Sequence, residues 1–179
     1  MKVISEAEFR LGLDRYLIDK YHEPGTLSKE ELAREELLKE NPDIRFKIDM
    51  DDVLKSINFK TEHNSFGKAL WHFLKKYAFN PSDVYKRAGI SKQYFNLALN
   101  DKVNPGKQKV MQLCIGLKLR LFEANDLMYV AGYSFSDCYA IDLIFKYAIQ
   151  NEIYDIHLIN DLLYEYSLRY NIKFESLVE

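Results

Sequence analysis

The fold is decided by Asn80-Pro81-Ser82-Asp83-Val84-Tyr85-Lys86-Arg87-Ala88-Gly89-Ile90-Ser91-Lys92-Gln93-Tyr94-Phe95, a stretch that predicts two short helices joined by a glycine turn. Asn80 is a favoured helix cap, and Pro81 fits the first helical turn. Gly89 ends this helix, because glycine readily adopts the left-handed conformation that closes many helices. Ser91 can then cap a second helix. Two short helices joined in this way are the outline of a helix-turn-helix.

The order of these residues resembles the Cro-type helix-turn-helix family, which is also called lambda-repressor-like or XRE-like. In that family a Leu-Ala pair precedes a Gly-Val-Ser turn, and a proline opens the fourth helix. The matching residues here are Val84-Tyr85, Gly89-Ile90-Ser91 and Pro105. The resemblance covers roughly residues 66–130, where the apolar spacing after Pro105 also follows the family's leucine-rich fourth helix.

Two positions depart from the family pattern. Tyr85 replaces the small residue that lets the two helices approach each other, and Asp101-Lys102 replaces the glycine that follows the recognition helix. The resemblance implies an all-α fold, namely a lambda-repressor-like helix-turn-helix bundle with extra amino-terminal and carboxy-terminal helices. It also implies binding of double-stranded DNA through a recognition helix at about 91–100.

The charge distribution agrees with this implication. Residues 60–120 contain twelve Lys and Arg against three acidic residues, an excess of nine positive charges, whereas the whole chain has a net charge of −2. A basic face on a helix-turn-helix unit is the electrostatic footprint of a DNA-binding protein. The alternative is an ordinary solvated surface that is balanced by the acidic remainder of the chain.

Helical patterns also extend to both sides of this unit. Caps and apolar periodicity predict helices over 5–22, 28–39, about 50–58, from Ser65 onwards, and over 121–130, 137–150 and 156–169. The predicted caps are Ser5, Ser28, Ser136 and Asp155. The periodicity also places Ile18, Phe122 and Tyr139 on apolar faces. The polar residues 60–64 mark a boundary. We therefore expect an amino-terminal helical segment at 1–60 and a helix-turn-helix domain with a two-helix extension at 61–179.

The last two predicted helices are apolar over much of their circumference, more than a surface helix requires. Either they pack against the rest of the chain or they form a dimer seam, and a mixture of both is favoured. A homodimer is therefore expected. No run of about 18 uncharged apolar residues is present, so no membrane-spanning helix is expected.

Catalytic and metal sites have little support in the sequence. It contains no glycine-rich phosphate loop, no Cys-x-x-Cys pair and no His-Glu-x-x-His motif, so we expect neither an enzyme nor a cofactor. Asp49, Asp51 and Asp52 could bind a hard cation, but they more often charge the first turn of a helix. Cys114 and Cys138 are too few for a disulfide framework, which favours a cytoplasmic protein with reduced, core-packed thiols.

The DNA-binding interpretation assigns roles to particular residues. With Ser91 as cap, the exposed early turns of the second helix carry the candidate base contacts Lys92, Gln93 and Asn96. Phe95, Ala98 and Leu99 form the buried stripe, and Tyr94 is either a phosphate contact or a core residue. The candidate phosphate contacts flank this helix and are Ser82, Ser91, Lys102, Lys107 and Lys109.

A protein-binding role is the alternative, because function depends on the site and not on the fold. The second helix carries few polar side chains, and Leu97 would suit an apolar groove on a partner protein. The acidic remainder of the chain could also cover the basic face or mimic DNA. An adaptor or antitoxin-like module is therefore the second interpretation of the sequence.

Overall fold

The computed structural model describes residues 5–21, 26, 32, 33, 36, 39, 62–170, 176 and 177. In this part of the chain it gives the bounds of eight helices and contains no strand, which confirms the all-α prediction for these residues. The helices are α1 (Glu6–Lys20), α2 (Phe66–Lys76), α3 (Pro81–Arg87), α4 (Lys92–Leu99), α5 (Lys107–Gly116), α6 (Leu121–Val130), α7 (Ala140–Gln150) and α8 (Ile156–Tyr170).

Some of the predicted features lie outside the described residues. These are the helix at 50–58, the aspartates at 49, 51 and 52, and most of the helix at 28–39 with its Ser28 cap. Among the described residues, none of the helices combines the length and the apolar character that crossing a bilayer requires.

The predicted caps start the helices for the reason that the sequence suggests, which is that their oxygens accept backbone N–H groups that have no partner inside the helix. Ser5 caps α1 in a reciprocal capping box with Glu8. Asn80 accepts the Ser82 amide at 2.9 Å at the start of α3. The Asp155 carboxylate accepts two amides at the start of α8.

The turn between α3 and α4 also follows the prediction. Gly89 has φ +63°, in the left-handed region that a glycine tolerates. The next residue, Ile90, is buried and anchors the turn in the core. Tyr85 is accommodated at the edge of the crossing, where its ring centroid lies 5.9 Å from that of Phe95. The large side chain therefore lies beside the buried stripe of α4 and does not prevent the two helices from meeting.

The loop after α4 explains why an aspartate is suitable at position 101, where the Cro-type pattern has glycine. Asp101 has φ +53°, so the position does need the left-handed conformation. Its carboxylate accepts the Gly67 amide at 2.7 Å and the Ser65 hydroxyl at 2.7 Å. Asp101 therefore closes α4 and, with Ser65, caps α2, which fixes the two helices against each other.

The carboxy-terminal helices join the helical unit α2–α6 to the amino-terminal helix. The buried side chains of the described residues, from Phe9 on α1 to Leu177, form one cluster, and α7 packs against α1, α6 and α8. Phe9, Leu13 and Leu17 form the buried face of α1. This packing is one of the two arrangements expected for the apolar α7 and α8.

Four details of the predicted helices are wrong. α7 begins at Ala140 and not near Ser136, because the Ser136 amide donates to the buried Asp142 carboxylate at 2.8 Å and the intervening residues form a loop. Periodicity also placed three residues on buried faces that the structure leaves exposed. The exposed fractions are 77% for Ile18, 58% for Phe122 and 59% for Tyr139.

Candidate nucleic-acid interface

An exposed polar strip runs along α4 and is the centre of the candidate interface. Lys92, Gln93 and Asn96 are all exposed, and the strip continues through Leu97, which is 39% exposed, to Asn100. Lys92 and Asn96 are one turn apart and therefore lie side by side. All three predicted base-contacting residues thus reach solvent from one short helix, and no described segment of the chain buries them.

The remainder of α4 holds this strip in place. The Ser91 hydroxyl accepts the Tyr94 amide at 3.2 Å and caps the helix. Phe95, Ala98 and Leu99 are buried, as predicted. A helix that is capped at one end and buried along one side presents its outer side chains at fixed positions, which is what readout of base edges requires.

Tyr94 lies between the two predictions made for it. Its ring is half-buried, and the Lys109 ammonium stands 5.9 Å from the ring centroid. Burial, with the nearby Tyr133, raises the pKa of the Tyr94 phenol, so the hydroxyl keeps its proton at neutral pH and can act as a donor. Tyr94 and Lys109 therefore form a pair next to α4, a pairing across 15 positions that helical periodicity does not predict.

The candidate phosphate-binding lysines differ in their surroundings. Lys102 is exposed in the loop after α4, where its amide donates to the Leu97 carbonyl at 2.8 Å. Lys107 instead forms an ion pair at 2.5 Å with Asp142, a carboxylate that is fully buried. Moving the Lys107 ammonium to a phosphate would leave a buried charge without its partner, which is costly. The structure thus favours Lys102 over Lys107 as a cation for phosphate.

The surroundings of Asp142 act on the pKa of its carboxyl in two directions. Burial raises the pKa of the Asp142 carboxyl, and the hydrogen bonds from Lys107 and from the Ser136 amide act in the opposite direction. The same Lys107 ammonium lies 5.9 Å from the centroid of the Tyr139 ring. Lys107 therefore ties the start of α5 to α7. The sequence gives no signal for this pair, because its partners are 35 residues apart.

The amides at the helix starts also differ. The Ser82 amide donates to the Asn80 side chain, and the Ser82 hydroxyl donates to Asp83 at 3.3 Å. Both donors of Ser82 therefore have partners within the chain, so the predicted phosphate contact there would have to replace them. Ser91 is exposed at the start of α4, with its hydroxyl engaged as the cap.

The described residues contain no group of three or more His, Cys, Asp or Glu side chains that could hold a metal ion. Cys114 is fully buried, and burial strongly raises the pKa of its thiol, so the thiol is an unreactive core group. Cys138 is half-buried and is not part of a disulfide.

No protein-family model matches this chain, and neither the curated proteins nor the solved structures include a match. The chemistry of the α4 surface is therefore the basis for a functional assignment.

Proposed function

We propose that the chain binds double-stranded DNA in a sequence-specific manner and regulates transcription, with α2–α6 acting as a lambda-repressor-like helix-turn-helix domain and α4 as its recognition helix. The observation that carries the proposal is the division of α4 into a buried apolar side and an exposed polar side with Lys92, Gln93 and Asn96. A helix of this kind fits the major groove, where amide and ammonium groups can pair with base edges.

Each residue of the exposed strip has a proposed role. Gln93 can pair bidentately with adenine, Lys92 can donate to guanine or phosphate, and Asn96 can do either. Lys102, Lys109 and the exposed start of α4 at Ser91 are the proposed contacts to the DNA backbone. Under this proposal Lys107 and Ser82 contribute less to phosphate binding, since their donors already have partners inside the protein.

The proposal includes a homodimer, because helix-turn-helix proteins commonly bind two half-sites that are related by symmetry. Exposed apolar side chains on two helices of the described chain support it. Leu11 and Ile18 lie one above the other on α1, and Tyr164 and Leu168 do so on α8, with exposed fractions between 54% and 77%. Side chains of this kind in rows on adjacent helices are typical of association surfaces.

A selection from random DNA duplexes at two salt concentrations tests the proposal. We expect enrichment of a sequence with two half-sites about one helical turn apart, and an affinity that falls steeply with salt. Gln93→Ala should change the preferred base at one position and cost about 1–3 kcal/mol on the selected site. Asn125→Ala, at an exposed residue of α6, is the matched control and should bind as the unmodified protein does.

A second variant separates base readout from contact with the phosphates. Lys102→Ala should weaken binding to all sequences alike and make the salt dependence shallower by roughly 0.9 in log–log slope, because one phosphate contact is lost. If the selection enriches no sequence and retention by random duplexes is insensitive to salt, the DNA proposal is wrong.

The exposure of Leu97 supports a second candidate function, an adaptor or antitoxin-like module that binds a protein through α4. An apolar side chain that is 39% exposed in the middle of the strip fits a groove better than it fits a base edge. Under this alternative, Leu97→Asp abolishes co-purification of a partner protein and leaves DNA retention unchanged. Under the DNA proposal, the same variant weakens DNA binding, since it brings a carboxylate next to the phosphates.

A further inference from the structure

The outer face of α2 carries a cavity that is separate from the strip on α4. Lys68, Trp71, His72 and Lys75 follow one another at helical spacing along this face, and together with Glu62 they line a cavity of about 530 Å³. Trp71 is 44% exposed and is the only tryptophan in the chain. Tryptophan has the largest π surface of any side chain, and at this exposure part of that surface is accessible to a stacking ligand.

Two lysines contribute ammonium groups to the same cavity. The Lys75 ammonium stands 5.9 Å from the centroid of the Trp71 ring. Lys68 lies two turns before Lys75 and also lines the cavity, and its ammonium donates to the Asn64 side chain at 2.7 Å. A cavity that is lined by an aromatic face and two cations offers both a stacking surface and a binding site for an anion.

His72 and Glu62 add polar groups to the cavity. The His72 ring meets the His63 ring edge to face, with centroids 4.4 Å apart. Burial, then His63 and Lys76, lower the pKa of His72, so its imidazole is neutral at neutral pH. A neutral imidazole and the Glu62 carboxylate can accept hydrogen bonds from the amino and hydroxyl groups of an organic ligand.

We propose that this cavity binds a nucleotide, with the base stacked on Trp71 and the phosphate bound by Lys68 and Lys75. A free nucleoside phosphate and an unpaired nucleotide of a single strand share this chemistry. Base-paired DNA does not, because the faces of its bases are covered by neighbouring bases. The site therefore adds a ligand to the proposed DNA-binding function and does not depend on it.

The fluorescence of the single tryptophan gives a direct test. We expect adenosine monophosphate to quench Trp71 saturably, after correction with free tryptophan amide for absorption by the nucleotide. Ribose 5-phosphate, which lacks the base, should bind at least tenfold more weakly, since stacking is absent. A short single-stranded oligonucleotide is titrated in the same way. Tighter binding of the oligonucleotide than of adenosine monophosphate would indicate a single-strand site, and tighter binding of adenosine monophosphate would indicate a site for a free nucleotide.

Variants of the cavity make the result specific. Lys75→Gln should raise the dissociation constant for adenosine monophosphate about tenfold, as expected for the loss of one charged contact. Arg15→Gln, which removes an exposed cation from α1, is the matched control and should leave the dissociation constant unchanged. Gln93→Ala should also leave it unchanged, so failure of the nucleotide site and failure of DNA binding are distinguishable.

Several outcomes would overturn the proposal. These are the absence of saturable quenching by both the nucleotide and the oligonucleotide, equal binding of ribose 5-phosphate, or an unchanged dissociation constant in Lys75→Gln. Trp71→Phe provides a calorimetric check without fluorescence. If it retains the helical circular dichroism of the unmodified protein, it should bind the nucleotide more weakly, and full binding would rule out stacking on Trp71.

Discussion

Gly116 lies where α5 crosses α3, and there is no room for a side chain at its α-carbon. A β-carbon at this position would lie 2.6 Å from the Val84 carbonyl oxygen and 2.9 Å from the Ala88 β-carbon. Both neighbours belong to α3 or its cap and cannot move without shifting the helix. The Gly116 carbonyl also accepts the Arg87 guanidinium at 3.0 Å. The position of α3, and through the turn that of α4, therefore depends on this contact.

We expect Gly116→Ala to lower the free energy of unfolding by about 1–3 kcal/mol, because the clash with the α3 backbone forces the two helices apart. Urea denaturation measures the change. Gly106→Ala is the control, since nothing lies within 4 Å of a β-carbon built there and its backbone is extended. The control should change the free energy by less than about 1 kcal/mol. Equal effects of both substitutions would contradict the inferred close contact.

At the scale of single residues, the sequence predicts local contacts well and distant ones poorly. The caps Ser5, Asn80 and Ser91 are predictable, because each bonds to an amide within three residues. The role of Asp101 is not, because its partners Ser65 and Gly67 lie 36 and 34 residues away. For the same reason, the candidate base contacts follow from their helix position, whereas the ion pair of Lys107 requires the tertiary structure.

Glu123 connects two helices and is almost fully buried. Its carboxylate accepts the Lys76 ammonium at 2.5 Å and the Tyr77 hydroxyl at 2.7 Å, both from the end of α2, and it also accepts the Arg120 amide at the start of α6. Burial by itself would raise the pKa of Glu123, but these hydrogen bonds outweigh it and lower the pKa. Burial and the Glu123 hydrogen bond raise the pKa of Tyr77 to about 12.

This carboxylate predicts a specific pH dependence of stability. Because the pKa of Glu123 is lower in the folded chain, its contribution is present above the ordinary pKa of 4.5 and is lost as the pH falls through the folded value. Glu123→Gln should therefore cost about 2 kcal/mol at neutral pH and progressively less in acid. Denaturant unfolding at a series of pH values measures the free energy of unfolding of the variant and of the unmodified protein. Asp142, whose pKa is shifted in the opposite direction, is present in both proteins, so its contribution cancels in the difference between them.

Asp161→Asn, at an exposed position of α8, is the control for this series. It should change the free energy of unfolding by less than about 0.5 kcal/mol at every pH. If the Glu123→Gln variant and the unmodified protein instead differ in free energy of unfolding by the same amount from neutral to acid pH, the contribution of Glu123 does not depend on the ionisation of its carboxylate.

At the scale of helices, the existence of an element is more predictable than its limits. The predicted bounds of α6 and α8 agree closely with the structure, in which Glu123 accepts the Arg120 amide at the start of α6 and Asp155 caps α8. The predicted start of α7 near Ser136 is wrong, because the Ser136 amide donates to Asp142 and holds the residues between them in a loop. Asp142 is also bound by Lys107, from outside the helix. Periodicity also cannot decide whether an apolar residue at the edge of a face is covered, which is why the exposure of Phe122 was missed.

In the whole molecule, residues far apart in sequence form one side of the core. α1 lies against α7, where a β-carbon on Gly12 would collide with the Tyr147 hydroxyl. Asp14 on the same helix forms an ion pair at 2.6 Å with Arg169 of α8. The polar stretch at 60–64 is the reason why the sequence predicts a boundary between residues 1–60 and the remainder of the chain. A polar stretch shows where the chain can turn, but it gives no information on which surfaces meet afterwards.

Because the core is continuous, we expect a substitution that destabilises α1 to lower the thermal stability of α2 as well. Leu13 is fully buried on α1, so Leu13→Ala should lower the free energy of unfolding by about 2–5 kcal/mol, whereas Arg15→Ala, at an exposed residue of the same helix, should change it by less than about 0.5 kcal/mol. Trp71 reports on α2, and far-ultraviolet circular dichroism reports on all helices. Since α7 joins α1 to α6, and α6 contacts α2, both signals should shift to the same lower midpoint in thermal unfolding of Leu13→Ala. If the circular dichroism shifts while the Trp71 transition stays in place, α1, α7 and α8 unfold as a unit separate from the proposed DNA-binding helices.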